Sequence, residues 1–326
     1  METSTNLIPH GIDAGNGALK IYGKAGGLEI VSQVAVNNGQ KAVTTLGLRT
    51  QKAPLSISNG HGLFYVGANA HDHGRPVESL DVERYNGTPE MEALLQGGIT
   101  AYQRAYGTFT NPLSVVFGVT TEAVTSENSD QIRQWIKGKH EWIADDQPDR
   151  VEIASVKIAT QASAELFDYL LDDEGCFIPE RKGAFTGEVG AISIGFGTVE
   201  LMVVRNKTIV QRFTSGSTSG VRRLLEIVDG QHLYSLGELD MQLRAGQLDI
   251  RDALPIWERE VSGVIEKAWG KSWKRFAAVL IVGGGSILLK DTLPYRFNGR
   301  AFMPENPVMS IARGLYKLAL SQQRGK

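Results

Sequence analysis

The segment Ile12-Asp-Ala-Gly-Asn-Gly-Ala-Leu-Lys-Ile21 aligns without a gap with a later segment, Ile192-Ser-Ile-Gly-Phe-Gly-Thr-Val-Glu-Leu201. Each predicts a β-strand, a tight Gly-x-Gly turn and a returning strand, because glycine adopts the positive φ angles that β-branched residues avoid. An internal repeat of this kind indicates two structurally related halves. We therefore predict two domains, each containing one such hairpin.

A Gly-x-Gly turn has a chemical use as well as a structural one. It lets the backbone approach a ligand closely and point successive N–H groups at an anion. A single such turn is more often an ordinary hairpin turn, but the repeat makes a pair that would clamp a polyphosphate. Neither segment has the lysine of a P-loop or the helix that follows a Rossmann glycine motif, so those two phosphate-binding classes are excluded.

Alternating strand and helix patterns follow both hairpins and predict a mixed α/β protein. Short apolar runs bounded by turn residues predict strands, and longer amphipathic runs predict helices. The predicted strands are 114–119, 151–158, 208–213 and 277–282, and the predicted helices are 161–171, 220–228, 254–269 and 306–320.

Composition narrows the function classes. The chain has 326 residues, 42% of them hydrophobic, which is enough for two domains with substantial cores. Its 34 basic and 36 acidic residues argue against direct nucleic-acid binding. One cysteine, Cys176, excludes an internal disulfide and fits a reducing compartment, so we expect a cytoplasmic protein. We expect no signal peptide and no membrane anchor, since no apolar run reaches about 20 residues.

Two charged residues of the first hairpin are candidates for phosphate chemistry. Asp13 ends the first strand, where a carboxylate would hold Mg²⁺ through the water molecules of the ion. Lys20 follows on the returning strand and would contact a phosphate as a point charge. The alternatives are an Asx-turn for Asp13 and an exposed strand lysine for Lys20.

The segment from Gly11 to Lys20 resembles the phosphate 1 motif of actin-like proteins, especially the ParM/StbA plasmid-segregation and archaeal actin group. Three further segments resemble motifs of that group in order and spacing: 192–201 resembles phosphate 2, 279–286 the adenosine motif, and 307–318 the connect 2 helix. The resemblance covers nearly the whole chain. Sugar kinases and Hsp70-like ATPases share the hairpin, but usually without the lysine.

This resemblance implies an actin-like, ribonuclease H-like α/β fold of two domains, with a nucleotide in the interdomain cleft. Domain I is expected to contain residues 1–160 and 305–326, and domain II residues 161–304. The implied cofactors are ATP and Mg²⁺. GTP is an alternative, because the glycine-rich adenosine motif contacts backbone and ring faces more than purine edges.

The resemblance also implies a set of site residues. Asp13 is the expected metal ligand, and Asp13 and Gln161 are the expected catalytic residues, with the Gln161 amide orienting the attacking water. The expected nucleotide-binding residues are Asp13, Gly15, Asn16, Gly17, Lys20, Gly195, Phe196, Gly197, Thr198, Gly220, Arg223, Gly283, Gly284, Gly285 and Ser286.

Several of these residues have structural alternatives. Residues 283–286 also fit a strand-to-helix turn, and 215–220 a serine-rich loop that caps a helix. Gln161 also fits a helix N-terminal residue that bonds its own backbone. Gly314 lies inside the last predicted helix, where glycine costs about 1 kcal/mol relative to alanine. We therefore expect a close helix–helix contact there.

One departure from the family pattern concerns Ser193, which stands where phosphate 2 normally begins with Asp. Serine does not supply the missing charge. We therefore expect an ATPase that hydrolyses ATP slowly or retains Mg²⁺ weakly, with nucleotide binding preserved by backbone amides.

The function implied by the resemblance is a filament of head-to-tail copies, assembled with ATP and used for plasmid or DNA segregation through a DNA-binding adaptor. One alternative is a nucleotide-binding regulator that does not polymerise. Another is a sugar or acid kinase of the same superfamily, which would need a carboxylate base that the sequence does not reveal.

Overall fold

The computed structural model describes residues 6–39, 53–77, 85, 87–120 and 123–324. Two compact units divide the described residues. The first lies within 1–117 and 122–158, and the second within 118–121 and 159–326. Among the described residues, no helix is both long and apolar enough to cross a bilayer.

The first unit is built around a sheet in which ten strands of the described chain are joined in the order β3-β2-β1-β8-β10-β9-β5-β6-β4-β7. Helix α1 begins at Pro89, with the Thr88 hydroxyl accepting a hydrogen bond from the Met91 amide, and ends before Gly107. The elements are β1 (Ile8–Ala14), β2 (Ala18–Gly23), β3 (Gly26–Val31), β4 (Val34–Val36), β5 (Leu55–Asn59), β6 (Gly62–Val66), β7 (Arg75–Pro76), α1 (Pro89–Tyr106), β8 (Leu113–Val119), α2 (Ser126–Ile136), β9 (Gly138–Ala144) and β10 (Gln147–Thr160).

The second unit has a smaller sheet, ordered β13-β12-β11-β15-β16, with β14 paired to β12. Strand β15 is buried along its whole length, which explains its uninterrupted apolar sequence. The elements are α3 (Gln161–Leu170), α4 (Lys182–Thr186), β11 (Glu188–Ile194), β12 (Val199–Arg205), β13 (Thr208–Ile209), β14 (Ser215–Ser217), α5 (Val221–Val228), α6 (Leu236–Arg244), α7 (Leu254–Trp269), β15 (Ala278–Val282), α8 (Gly284–Leu288), β16 (Ala301–Phe302) and α9 (Ser310–Arg324).

Helices α3 and α9 pack against each other within the second unit. A β-carbon on Gly314 would overlap the carbonyl oxygen of Ala164 and come within 3.1 Å of the Asp168 amide. The expected close contact at Gly314 is therefore present. Buried Asp168 accepts hydrogen bonds from the Ser310 hydroxyl at 2.7 Å and from the Arg313 guanidinium at 2.6 Å. The two helices are thus joined by backbone packing and by a charged network.

The compact units differ from the expected domains at residues 305–326. We assigned this segment to domain I, whereas it clusters with the second unit. The physical reason is the α3–α9 contact, since α3 begins at Gln161, immediately after the predicted boundary. The main segment of the second unit begins at residue 159.

Three predicted elements differ clearly from the structure in their bounds, and one of them, the strand 151–158, extends over Gln147–Thr160. Only Thr208 and Ile209 of the predicted strand 208–213 pair with β12, and Gln211–Phe213 forms a 3₁₀ turn. The closing helix begins at Ser310 instead of 306 and continues to Arg324. The asparagine before Pro307 explains the later start, because its side chain accepts a hydrogen bond from the Met309 amide at 3.3 Å.

A histidine is buried beneath the β2–β3 turn of the first unit. The His10 ring packs edge-on against Tyr102 and Phe109, with centroids 5.3 and 5.0 Å away. A β-carbon on Gly23 would overlap this ring. Burial lowers the pKa of His10 from 6.5 to about 4, because the charged imidazolium loses its hydration. His10 is therefore neutral at physiological pH.

The buried His10 should make the protein less stable in mild acid. In the unfolded chain the ring takes up a proton below a pKa of about 6.5, whereas the folded ring does so only near pH 4. Stability contributed by the neutral ring is therefore complete above pH 6.5 and lost as pH falls towards 4, by about 3 kcal/mol in total. Urea unfolding at pH 7.5 and 5.0 measures this difference.

A His10→Asn variant should lose much of that pH dependence, even if its stability is lower at both pH values. The control is His232→Asn, since His232 is exposed and has φ near 54°, a conformation that asparagine tolerates. Equal pH slopes for wild type and His10→Asn would contradict the assignment.

Candidate functional site

The first hairpin brings Asp13 and Lys20 together. The strands β1 and β2 pair so that Asp13 lies directly opposite Lys20. Their side chains form an ion pair, with the Lys20 Nζ 2.9 Å from the Asp13 Oδ2. Asp13 is 1% exposed and the Lys20 side chain 13%. The predicted spacing of seven residues thus corresponds to a cross-strand pair at the end of a buried strand.

The turn of the first hairpin is held by Ser32, the residue that follows β3. The Ser32 hydroxyl donates to the Gly15 carbonyl at 2.8 Å, and the Ser32 amide donates to the Gly17 carbonyl at 3.1 Å. A β-carbon on Gly15 would lie 3.2 Å from the Lys20 Nζ. Asn16, between the two glycines, is exposed. Sequence reasoning did not identify Ser32, because it lies outside the repeat and only strand pairing brings it to the turn.

The second hairpin repeats the register of the first. Ile192 pairs with Leu201, and Ser193 pairs with Glu200 in the position that Asp13 and Lys20 occupy in the first hairpin. The turn is closed by a hydrogen bond from the Gly195 amide to the Thr198 carbonyl at 2.8 Å. The internal repeat is therefore structural as well as sequential, but the buried cation–anion pair is present only in the first hairpin.

The amides of the second turn are suited to an anion. Phe196, Gly197 and Thr198 are half-buried, and their backbone N–H groups donate no hydrogen bond to other described residues. Buried or partly buried amides are normally paired, so three adjacent donors without a protein acceptor favour an anionic ligand or ordered water.

Helix α5 starts on the second turn. The amides of Val221 and Arg222 donate to the carbonyls of Gly195 and Phe196 at 3.0 and 2.7 Å. A β-carbon on Gly220 would lie within 2.5 Å of the Thr198 amide nitrogen. Gly220 therefore permits the helix to approach the turn, and the first helix amides bind the turn carbonyls instead of remaining available to a phosphate.

The serine-rich segment before α5 is only partly the capping loop that we considered. Its residues Ser215–Ser217 form β14, paired with β12. Buried Trp257 of α7 donates through its indole N–H to the carbonyls of Ser219 and Gly220, at 2.8 and 3.1 Å. Trp257 thus fixes the loop that leads into α5. The sequence alone did not reveal this role.

Arg223 has a partner within the second unit. Its guanidinium donates to both carboxylate oxygens of Glu260 on α7, with nitrogen–oxygen distances of 3.0 to 3.3 Å. Hydrogen bonding to Glu260 raises the pKa of Arg223 above its ordinary value. The observed contact braces α5 against α7, and a direct role of Arg223 towards a nucleotide remains a prediction.

The glycines of the predicted adenosine motif have different surroundings. Gly283 has φ near 90°, and β-carbons on Gly283 and Gly285 would overlap Ile194 at the end of β11. Gly284 is exposed, and a β-carbon there would meet nothing within 4 Å. Buried Ser286 donates its hydroxyl to the Gly283 carbonyl at 2.7 Å. This is the strand-to-helix turn that we considered, and Gly284 is the member open to a ligand.

Gln161 is the first residue of α3, as predicted. The helix is capped by Thr160, whose hydroxyl accepts a hydrogen bond from the Ser163 amide at 3.0 Å. Gln161 is half-buried at this helix start. Its proposed role towards water stays a prediction.

The predicted residues thus form two groups. The first unit holds Asp13, Lys20 and the turn 15–17 in one hairpin. In the second unit, the turn 195–198, Gly220 and the 283–285 segment all meet around the end of β11.

Residues 11–163 match the family described as the actin-like proteins N-terminal domain. Solved structures extend the similarity to the whole chain. The apo ParM protein of pSK41 superimposes with a TM-score of 0.75 at 15% identity, over 98% of this chain and 99% of that chain. The chain has the actin-like fold.

Two further structures carry the same actin-like fold. The archaeal actin homologue Ta0583, solved in complex with ADP, has a TM-score of 0.71 at 15% identity, over 98% of this chain and 100% of its own. The 15-stranded ParM filament from Clostridium botulinum has a TM-score of 0.71 at 13% identity, over 96% and 99% of the two chains. No curated protein matches this actin-like chain.

Proposed function

We propose that this actin-like chain binds ATP with Mg²⁺ through its two hairpins and assembles with further copies of itself into filaments. The observation that carries the proposal is the identical register of the two hairpins, each with a tight glycine turn at the end of a buried strand. One similar structure was solved in complex with ADP, and another was solved as a filament. GTP is the alternative nucleotide.

The residues present fit a polyphosphate. The second turn offers three adjacent amide donors, and the glycines at 195 and 197 keep side chains away from it. In the first hairpin, Lys20 supplies a positive charge beside the turn. These groups would hold phosphate oxygens by hydrogen bonds and charge, without a P-loop.

The residues also fit Mg²⁺ that arrives with the nucleotide. Among the described residues, no three His, Cys, Asp or Glu side chains converge to form a metal cage. Mg²⁺ commonly keeps several waters and binds one or two carboxylates together with phosphate oxygens. Asp13 is the carboxylate that would hold the hydrated ion, which would supply charge neutralisation for phosphoryl transfer.

For hydrolysis, we propose that Gln161 orients the attacking water. A neutral amide is a poor proton acceptor, so catalysis by this residue would depend on alignment. In the second hairpin, Ser193 pairs with Glu200 in the register where the first hairpin pairs Asp13 with Lys20, so the aspartate is replaced by a serine. Slow turnover is therefore expected.

Replacing Ser193 by aspartate should raise the ATPase rate or the Mg²⁺ affinity, by about tenfold if one charge–metal interaction of about 1.4 kcal/mol is restored. Ser193 is half-buried, so a carboxylate there remains partly hydrated. Phosphate release is measured against Mg²⁺ concentration, with Ser193→Asn as the uncharged control of similar size. An unchanged rate and an unchanged Mg²⁺ dependence in Ser193→Asp would contradict this role.

A filament of this kind suits the segregation of plasmid or other DNA in the cytoplasm. The near-neutral charge balance favours contact with DNA through a separate DNA-binding adaptor rather than directly. A head-to-tail interface does not close on itself, so it extends into a polymer.

Right-angle light scattering with electron microscopy tests the proposal. Purified protein is mixed with Mg-ATP, Mg-GTP or a non-hydrolysable analogue, and binding is measured in parallel with a fluorescent nucleotide. Filaments that require nucleotide support the proposal. Tight nucleotide binding without polymer would favour a nucleotide-dependent regulator, the alternative that Ser193 supports. If no nucleotide binds, the proposed nucleotide site is wrong.

A further inference from the structure

Leu233 and Tyr234 form the most exposed pair of adjacent large apolar side chains in the second unit. They are 71% and 51% exposed. We call this pair the knob. Tyrosine is enriched among the residues that contribute most binding energy at protein–protein contacts, and the adjacent leucine extends the apolar surface.

The knob is held in place by its own loop. The Asp229 carboxylate accepts hydrogen bonds from the amides of Leu233 and Tyr234 at 3.1 and 2.9 Å. Directly after the knob, Ser235 and Glu238 form a reciprocal capping box at the start of α6. Backbone fixed on both sides lowers the entropy cost of binding, so the knob is preorganised for a contact.

The surroundings of the knob are acidic. Residues 226–240 contain four carboxylates and neither lysine nor arginine. Glu226 and Asp240 are paired with arginines outside this segment, whereas Asp229 and Glu238 are bound by backbone amides and the Ser235 hydroxyl. The hydrogen bonds from the Tyr234 and Leu233 amides lower the pKa of Asp229, so it is ionised at neutral pH. Asp229 and Glu238, which are held by backbone amides and the Ser235 hydroxyl, thus place two negative charges beside the apolar pair.

A basic surface of the same unit has complementary properties. It surrounds the first residue of β11, and we call it the basic pole. Arg205 and Arg275 both donate to Glu188, at 2.6 and 2.7 Å. Its four members are Arg205, Lys207, Arg212 and Arg275.

The cations of the basic pole lie over aromatic rings. The guanidinium groups of Arg212 and Arg275 lie 4.4 and 5.3 Å from the Phe213 ring centroid. The Lys207 ammonium lies 5.4 Å from the centroid of half-buried Phe185. Among the described residues, Glu188 is the one carboxylate that forms an ion pair with any of these four cations. The pole therefore combines excess positive charge with the half-buried ring of Phe185, and Phe213 is buried beneath its two arginines.

We propose that the knob of one copy docks on the basic pole of the next copy, an inference that rests on the proposed self-assembly. The charges favour a second copy as the occupant. Without the four cations and Glu188, the rest of the chain has 30 of the 34 basic and 35 of the 36 acidic residues, so acidic residues are in excess there. The knob places an aromatic side chain next to negative charges. Both features attract the cations of the pole, since a cation interacts favourably with an aromatic ring and with a carboxylate.

The positions of the two surfaces suit a head-to-tail contact. The pole surrounds the start of β11, whereas the knob is reached from the end of β11 through α5. Because the surfaces are different, each copy would offer one free knob and one free pole. Such a heterologous contact propagates instead of closing as a two-fold dimer.

The first test is assembly of a Leu233→Ser/Tyr234→Ser variant, followed by light scattering with Mg-ATP. We expect the critical concentration to rise at least about tenfold, while binding of a fluorescent ATP analogue is unchanged. The control is Tyr295→Ser, because Tyr295 is an aromatic that is even more exposed, at 78%. Wild-type assembly by the knob variant, or an equal effect of Tyr295→Ser, would overturn the proposal.

The second test is cross-linking between two singly labelled proteins in a Cys176→Ser background. One carries Leu233→Cys and the other Lys207→Cys, and a short bismaleimide is added. We expect a dimer in the mixture and little in either protein alone, decreasing with salt as charge attraction is screened. No product in the mixture at high protein concentration would overturn the contact.

These readouts separate the contact from the proposed function. If wild type binds nucleotide but forms no filament, the polymer proposal fails, and the cross-link still decides whether knob and pole meet. The pole variant Arg212→Glu should weaken both assembly and cross-linking, with Lys290→Glu as the exposed control. The alternative occupant of the basic pole is DNA, so binding of labelled duplex DNA is measured for wild type and Arg212→Glu. If Arg212→Glu loses DNA binding but assembles as wild type does, the proposal is overturned.

Discussion

A Gly314→Ala variant is expected to lose about 3 kcal/mol or more of unfolding free energy, because the added methyl group overpacks a closed helix–helix contact. The new β-carbon would overlap the Ala164 carbonyl oxygen, which belongs to a helix backbone and has little room to move. Separating α3 from α9 would also stretch the bonds from Ser310 and Arg313 to Asp168. Urea unfolding measures the loss.

The matched control is Gly263→Ala in α7. A β-carbon there meets nothing within 4 Å, and the residue is exposed. Since alanine favours a helix by about 1 kcal/mol over glycine, this variant should be more stable than wild type. The same substitution in two helices therefore has opposite expected signs. Gly314→Ala with wild-type stability would show that α3 and α9 are not closely packed in solution.

An Asp13→Ala variant is expected to bind Mg-ATP at least about a hundredfold more weakly, since truncating one partner of a buried charge pair costs about 2–5 kcal/mol. The carboxylate is 1% exposed and contacts Lys20 at 2.9 Å. Its removal deletes the proposed Mg²⁺ ligand and leaves the lysine without this partner. Titration with a fluorescent ATP analogue in Mg²⁺ and in EDTA measures the effect.

Two further measurements make this result specific. In EDTA the difference between Asp13→Ala and wild type should shrink, because no ion is present for the carboxylate to hold. Asp249→Ala removes an exposed carboxylate that is also paired with an arginine, and should bind nucleotide as wild type does. Undiminished Mg-ATP affinity in a folded Asp13→Ala protein would contradict the role of Asp13.

Sequence reasoning predicted much of the fold because the decisive features are local. The repeat fixed both hairpins with their strand pairing, and helix 254–269 agrees with α7 from Leu254 to Trp269. The strand predicted over 208–213 ends after Ile209. The apolar residues 209, 210 and 213 do not alternate as a strand requires, so the sequence held a signal against this part of the prediction. The placement of 305–326 with the second unit depends on contacts distant in sequence.

For the candidate site, the residue types were predictable but their partners were not. The pairing of Asp13 with Lys20 follows from hairpin register. By contrast, nothing in the sequence near Gly220 indicates that the Thr198 amide packs too closely against it to leave room for a β-carbon. Nothing near Ser32 indicates that its hydroxyl binds the first turn. Such contacts join segments that tertiary structure alone brings together, so local propensity carries no signal for them.

The junction between the second turn and α5 has a mechanical consequence. The carbonyls of Gly195 and Phe196 are tied to the first amides of the helix, whose far end leads to the Asp229 loop. An eight-residue helix is about 12 Å long, so a pivot of about 5° at its base displaces its tip by about 1 Å. A displacement of the turn would therefore shift Leu233 and Tyr234 at the far end of the helix.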